Sequence, residues 1–424
     1  MTNTEISGLP ARKAALRLLD SVLRMGMPMD QATNAACKGL ESADRALAIA
    51  IAQEVMRWLA DLDDLIDSKT KQRLPDDAKA RTVIRMALAQ MLRLGTPPHA
   101  AIATALPLVD GGPRKLVHGV LGALFRSDAK LPDLPSLPDA VAMRWHSAWG
   151  DDMLVGAQAA LAEPPLLDIS LRDPSTTDEW AERLGGVSLM PGHIRLPRGS
   201  AIEDIDGYDE GAWWVQDLAA SQPARLLGMG EGRTALDLCA APGGKTMQLA
   251  SAGWNVTAVD SSGKRIERLD HNLSRTGLDA TVIKADVMHW QPKESVDAIL
   301  LDAPCSATGT MRRHPDVLYR IGMKQINELA ALQSAMLDRV SAWLKPGGVL
   351  VYATCSLEVH EGEAQAAAFL SRHKDFAVDP VRATERLAGI AANDHGYLRT
   401  LPSMLSDVGG LDGFFVARFV KAPA

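Results

Sequence analysis

Two cysteines and an aspartate stand where a chain could do covalent chemistry. Asp302-Ala303-Pro304-Cys305-Ser306 follows the apolar run Val296–Asp302, and Thr354-Cys355-Ser356 ends the run Gly348–Thr354. Runs of this kind form buried strands. Both thiols would therefore emerge at the carboxyl edge of a sheet, the edge at which open α/β sheets bind ligands. A lone cysteine is most often a small buried hydrophobe, and Cys37, among Ala35, Ala36 and Leu40, reads that way. Two thiols beside a carboxyl group suit a pyrimidine. Carbon 5 of that ring is a poor nucleophile until a thiolate adds at carbon 6. A carboxyl group near ring nitrogen 3 can share a proton with the adduct. Methyl transfer from S-adenosylmethionine, loss of the carbon-5 proton and expulsion of the thiolate would complete the cycle. Methylation of an exocyclic amine needs no thiol.

A loop rich in small residues supplies a place for the methyl donor. Asp237-Leu238-Cys239-Ala240-Ala241-Pro242-Gly243-Gly244-Lys245-Thr246 lies between a strand and a helix. Small residues let a ligand approach the backbone, and the helix N-terminus presents free N–H groups. Gly244-Lys245-Thr246 imitates the end of a P-loop, and Ile299–Asp302 imitates its magnesium-holding strand. The P-loop pattern, however, needs a glycine where Cys239 stands. A nucleoside cofactor is the better occupant. Asp260 ends the next strand, 17 residues after Gly243, where an acid can bind ribose hydroxyls. Asp286 ends the third strand, where adenine would lie, and Asp302 ends the fourth. Any one of these aspartates could be a cap or turn residue; three at successive strand ends favour a ligand. Cys239 reads as structural, with a backbone contact to cofactor.

The elements that would position these residues alternate. Strands are expected at Thr234–Leu238, Asn255–Asp260, Thr281–Asp286, Val296–Asp302 and Gly348–Thr354. Helices are expected at Thr246–Ser251, Lys264–Thr276 and Gln325–Leu344. This pattern predicts a doubly wound parallel sheet, with Gly413–Val420 as a last, edge strand. Ala140–Leu226, with Pro164-Pro165 and Trp213-Trp214, reads as a small mixed α/β subdomain. The amino-terminal part is helical: Ala15–Leu23, Asp44–Ile66, Asp76–Leu94, His99–Val109 and Lys115–Phe125 carry apolar periodicity. Pro132, Pro135 and Pro138 mark an extended linker. The expected divisions are 1–127, a linker at 128–139, 140–226 and 227–424.

The chain has 424 residues, 47% hydrophobic and 23% charged, with a net charge of −7. That composition excludes a wholly disordered chain and a disulfide scaffold. The four cysteines form no CxxC pair, so no metal site is expected and a reducing compartment, the cytoplasm, is. Neither a signal peptide nor a membrane span is read. An acidic total argues against a nucleic-acid partner, yet the charge is unevenly spread. Residues 1–130 hold 18 Lys+Arg against 14 Asp+Glu, and the remainder 27 against 38. Lys13, Arg17 and Arg24 fall within about 40° of one another on a helical wheel, opposite its apolar face. Arg114 and Lys115 sit beside Gly111-Gly112, where cations and backbone amides can meet a phosphate. For a single helix the solvated-face reading of such a stripe is the simpler one.

Several segments together resemble a known family. DLCAAPGGKT at 237–246, DAPCSATG at 302–309, RRHPD at 312–316 and YATCS at 352–356 closely resemble the RNA 5-methylcytosine methyltransferases. The whole chain is similar to their RsmB/Sun branch. ESADRALAIAIAQEVMRW at 41–58 and PPHAAIATALPLVDGGPRKLVHGVLGALFR at 97–126 resemble a NusB-like RNA-binding domain. Val215-Gln216-Asp217 and Asp412-Gly413-Phe414-Phe415 also match.

The resemblance implies a Rossmann-like S-adenosylmethionine-dependent sheet preceded by an all-α NusB-like domain and a small α+β subdomain. It implies Cys355 as nucleophile, Cys305 in release of the adduct, and Asp302 in contact with the base or the methyl donor. Cys239, Ala240, Ala241, Pro242, Gly243, Gly244 and Lys245, with Asp260 and Asp286, would hold S-adenosyl-L-methionine. Arg312, Arg313 and His314 would lie near RNA, unless they only order their loop. The implied substrate is small-subunit ribosomal RNA, at the family's cytosine 967, and the implied state a monomer. The rivals are a non-catalytic NusB-like RNA-binding factor, a P-loop ATPase and an enzyme of the same chemistry acting on another RNA such as tRNA. The chain departs from the family pattern at three places. Ser170-Leu171-Arg172-Asp173-Pro174 keeps the arginine of an Arg-x-Asn element and loses the asparagine. Ala307 stands where glycine is usual. Val317-Leu318-Tyr319 stands where lysine and tryptophan are common.

Overall fold

The computed structural model describes residues 7–199 and 201–424, so the first six residues of the expected 1–127 segment lie outside it. The chain forms two compact units. One runs to Pro164 and includes Met311–Ile321; the other comprises Pro165–Thr310 and Gly322–Ala424.

The first unit is helical. Its helices are α1 (Leu9–Leu23), α2 (Met29–Ala36), α3 (Ser42–Arg57), α4 (Leu59–Asp67), α5 (Lys79–Leu92), α6 (Pro98–Ala105), α7 (Gly111–Arg126), α8 (Asp139–Trp149) and α9 (Asp151–Ala162). In α1 the buried Ala14, Ala15, Leu18, Leu19 and Val22 form one stripe, as the periodicity predicts. The helix expected over Asp44–Ile66 is two helices. Trp58, with ψ near 20° and its ring buried beneath Arg93, breaks it. α5 is buried from Ala80 to Gln90, which places Arg81 and Arg85 inside. Asp63 and Asp67 neutralise them, with Arg81 Nη1–Asp67 at 2.7 Å and Arg85 Nε–Asp63 at 2.6 Å. The proline-rich stretch before α8 has no helix, yet it is tethered. Ser136 donates to the Asp61 carboxylate from its amide (2.9 Å) and its hydroxyl (2.7 Å). α8 and α9 belong to this helical unit, so the segment 140–226 read as one mixed subdomain is divided near Pro164.

The second unit begins with a three-stranded antiparallel sheet of β1 (Leu167–Leu171), β2 (His193–Leu196) and β3 (Trp213–Val215), ordered β2-β1-β3. An eight-stranded sheet follows: β4 (Thr234–Leu238), β5 (Asn255–Asp260), β6 (Thr281–Lys284), β7 (Val296–Asp302), β8 (Leu344–Thr354), β9 (Phe376–Val378), β10 (Leu398–Thr400) and β11 (Phe414–Lys421). The order is β10-β11-β8-β7-β4-β5-β6, with β9 also on β11. The strands from β6 to β8 are parallel. Residues alternate between two apolar layers: Leu236, Ile299, Leu301, Leu350 and Tyr352 face one, Ala235, Ala298, Leu300, Val351 and Ala353 the other. Period-two alternation with apolar residues on both faces marks a sheet covered on each side. The expected edge strand at Gly413–Val420 is instead internal. β11 pairs with β8 on one side and with β10 and β9 on the other, which accounts for its near-continuous apolar run. β6 ends at Lys284, leaving Asp286 in the following turn rather than at the strand end.

Candidate active site

β7 and β8 are adjacent and parallel, with Asp302 opposite Ala353. Their loops therefore leave the sheet side by side. This brings Cys305 Sγ to 3.4 Å from Cys355 Sγ, both half-buried. Backbone bonds hold the loops together: Ala303 N–H donates to Ala353 O (3.0 Å) and Gly309 N–H to Cys355 O (3.0 Å). The hydrogen bond with Cys355, and then burial, raise the Cys305 thiol well above its ordinary value.

The loop after β4 faces the same edge. Cys239 takes φ 62° and Gly243 φ 105°, so the chain turns sharply before the helix Gly244–Ser251. Cys239 is pushed up by burial and then by Asp302 and Asp260. Lys245 reaches from this helix to Asp302, Nζ–Oδ2 2.7 Å, and lies 5.2 Å over the Phe414 ring. Burial opposes the ammonium charge, and Asp302 more than restores it, leaving Lys245 raised.

Asp260 is buried at the end of β5 and accepts Ala241 N–H (3.1 Å) and Ser262 N–H (2.8 Å). Arg265 donates to the Ala241 carbonyl. The carboxylate and the loop are thereby fixed to one another. Each oxygen keeps a lone pair for a diol. The turn after β6 leaves Asp286 exposed. Its carboxylate accepts Met288 N–H (2.9 Å) and pairs with His289 (2.8 Å), and these contacts lower its pKa. Beneath the loop Asp237 is fully buried and accepts Thr246 Oγ1 (2.6 Å). Burial raises it to about 7.

With a paired thiol site beside a glycine loop established, comparison with known proteins is informative. A family described as 16S rRNA methyltransferase RsmB/F matches residues 224–420, and the NusB family matches residues 9–126. Ribosomal RNA small subunit methyltransferase B of Cronobacter sakazakii is 33% identical over 97% of this chain and 98% of its own length. The Klebsiella pneumoniae protein of the same name is 34% identical with the same coverage. This chain belongs to the RsmB/F methyltransferase family. Among solved structures, PH0851 superposes with a TM-score of 0.76 at 22% identity, covering 96% of this chain and 99% of that one. NSun6 of Pyrococcus horikoshii with SFG gives 0.59 at 18% identity, covering 68% and 99%. These two likenesses concern the fold. The RsmB/F chain is an RNA methyltransferase.

The RsmB/F helical unit displays Lys13, Arg17, Arg24, Arg114 and Lys115 on its surface. Arg17 donates to the Lys13 carbonyl (3.3 Å) and Arg24 pairs with Asp20 (2.9 Å). Arg313 and His314 are half-buried. Arg312 is only 3% exposed, and its carbonyl accepts Arg57 Nη2 at 2.7 Å. In this conformation its guanidinium is not offered to RNA, and its place in the interior fits a loop-ordering part. Arg172 donates to the Thr276 carbonyl (3.0 Å), while Asp173 accepts Ser175 N–H (2.9 Å). Arginine and turn are thus both engaged without the missing asparagine.

Sequence reasoning missed Glu361, Gln333, Ser306 and Ser356, which interconnect behind the thiols. The signal available was the serine that follows each cysteine. Among the described residues no group of three His, Cys, Asp or Glu side chains could hold a metal ion. No described helix is long and apolar enough to cross a membrane.

Proposed function

We propose that this RsmB/F protein methylates carbon 5 of a cytosine in small-subunit ribosomal RNA through a covalent adduct. The observation that carries the reading is the 3.4 Å approach of two thiols at adjoining strand ends, beside the Lys245–Asp302 pair. Amine methylation has no use for such a pair, whereas addition and elimination at carbon 6 need one thiolate to attack and a proton carrier close by.

S-adenosyl-L-methionine fits the residues present. Asp260 is anchored beside the small-residue loop, and Asp286 lies exposed at the next turn. Bound there, it supplies an electrophilic methyl group. The chain's own groups do the rest. Cys355 adds to carbon 6 and makes carbon 5 nucleophilic. Asp302, held by Lys245, bonds the ring edge near nitrogen 3. Cys305 assists proton movement as the carbon-5 proton leaves and the Cys355 bond breaks. A duplex would hide carbon 6, so the target base must be accessible or leave its stack. We assign phosphate contacts to Lys13, Arg17, Arg24, Arg114 and Lys115.

The test is a pair of substitutions. Cys305→Ser leaves a slowly released protein–RNA complex on a denaturing gel, whereas Cys355→Ser gives neither complex nor product. Trapping by the Cys355 variant would exchange the roles. Stabilisation against heat by S-adenosylhomocysteine checks the cofactor; protection by ATP alone would overturn the reading. Bisulfite sequencing of ribosomal RNA with and without the gene names the cytosine.

A further inference from the structure

Behind the two thiols one acidic side chain is wholly enclosed. Glu361 is 0% exposed. Burying a carboxylate is expensive unless donors surround it, and an apolar side chain of like volume would fill the space at lower cost. Its donors are the neighbours of the cysteines. Ser306 donates to Oε1 from its amide (2.9 Å) and to Oε2 from its hydroxyl. Ser356 Oγ donates to Oε2 at 2.5 Å. Gln333 Nε2 donates to Oε1 (3.0 Å) and also to the carbonyl of Pro304 (2.8 Å). The Glu361 carbonyl accepts Thr354 Oγ1 (3.4 Å) and Tyr352 OH (2.6 Å).

Both neighbours of Cys305, at 304 and 306, and both neighbours of Cys355, at 354 and 356, are therefore tied to one residue, Pro304 through Gln333. We propose that Glu361 is a positioning residue that sets the placement of both thiols at once. Its catalytic consequence rests on the covalent reading above. Its geometric consequence, the sulfur–sulfur approach, does not. A reacting atom displaced by about 1 Å can lose about 10²-fold in rate. Replacing the carboxyl group should act on chemistry and leave RNA and cofactor binding in place.

The experiment uses the full chain with Glu361→Gln and Glu361→Asp. Thiol placement is read without RNA by cross-linking with diamide, an azo two-electron oxidant. One thiolate adds to the N=N bond, the second sulfur displaces it, and the hydrazine leaves with both thiol protons. Peptide mapping identifies the Cys305–Cys355 disulfide. Chemistry is read by kcat, KM for RNA and the rate of adduct formation on 5-fluorocytosine RNA, and integrity by the stabilisation that S-adenosylhomocysteine confers. In Glu361→Gln, cross-linking slows at least about tenfold and kcat falls about 10²-fold, while KM stays within about threefold. The ligand-induced stabilisation is unchanged, and Glu361→Asp recovers part of the rate. Unchanged cross-linking, or a kcat loss matched by loss of ligand-induced stabilisation, overturns the proposal. Slowed cross-linking with no adduct in the unaltered protein leaves Glu361 as a positioning residue and refutes the covalent reading instead. Should Glu361→Gln not fold, Ser306→Ala and Ser356→Ala remove its donors singly. Each should slow cross-linking by a few fold, and no change in either overturns the proposal.

Discussion

The backbones of Gly309 and Gly413 lie against one another: Gly413 N–H donates to Gly309 O at 2.9 Å, and a Cβ on Gly309 would sit 1.9 Å from Gly413 O. Two distant segments thus meet where Gly309 N–H also holds the Cys355 carbonyl. Backbone cannot yield as a flexible side chain can. Gly309→Ala should therefore destabilise the protein by about 1–3 kcal/mol, as overpacking does, and lower kcat by opening the Cys355 loop. Urea unfolding with a parallel activity assay checks both. An undiminished midpoint would show that the loops part freely.

Ala307 offers the opposite change two residues earlier. It holds φ 56°, in the left-handed region, where a Cβ costs about 1–2 kcal/mol that glycine avoids. The greater freedom of an unfolded glycine offsets about half of this. Ala307→Gly should raise stability by up to about 1 kcal/mol with activity retained. A lower denaturation midpoint would contradict the strain.

The Lys245–Asp302 ion pair should behave as one unit. Lys245→Met and Asp302→Asn should each lower kcat by about 10²–10⁴-fold, the range for removal of a positioned proton-transfer group. The double variant should lose far less than the product of the two, because the second change removes a group already without its partner. A multiplicative loss in the double-mutant cycle would mean that the residues act separately.

Asp237 gives stability a pH dependence. Its folded pKa of about 7 exceeds its ordinary value because burial disfavours the charge. The native state therefore holds a proton that the unfolded chain has released. Its contribution is fully present below about pH 4 and declines as pH rises to about 7, by an amount on the order of 4 kcal/mol. Asp237→Asn keeps an acceptor for Thr246 and removes the titration. Unfolding curves from pH 4 to pH 8 should show a flatter profile for the variant; parallel profiles would refute the assignment.

The catalytic edge was legible because its residues are local to strand ends. The strands ending at Leu238, Asp260, Asp302 and Thr354 end at their predicted limits. Relations between distant segments were less so. The edge assignment of β11 failed because nothing in one apolar run shows that β10 and β9 will cover its outer side. Glu361 went unnoticed because an acid followed by glycine and another acid looks like a solvated turn until Ser306 and Ser356 are brought to it. Arg312 looked like a cation for RNA because charge is visible in a sequence and burial is not.

That contrast yields a prediction about salt. Lys13, Arg17, Arg114 and Lys115 are exposed, so phosphate contacts made by them release counterions. Each contact contributes about 0.7–0.9 to the slope of log K against log salt. Changing all four to glutamine should flatten the slope by about 3 and weaken binding at low salt more than at high salt. Stability should scarcely alter, since exposed charges away from packed contacts contribute little. Arg24, already paired with Asp20, should add less than the others, because that pair must break before it meets a phosphate. Arg312→Gln should do the reverse, lowering the melting temperature while leaving the slope intact. Binding titrations at four salt concentrations, with melting curves on the same samples, separate the two classes. A slope that falls with Arg312 and not with the exposed four would move the RNA-binding surface to the loop at Met311–Ile321.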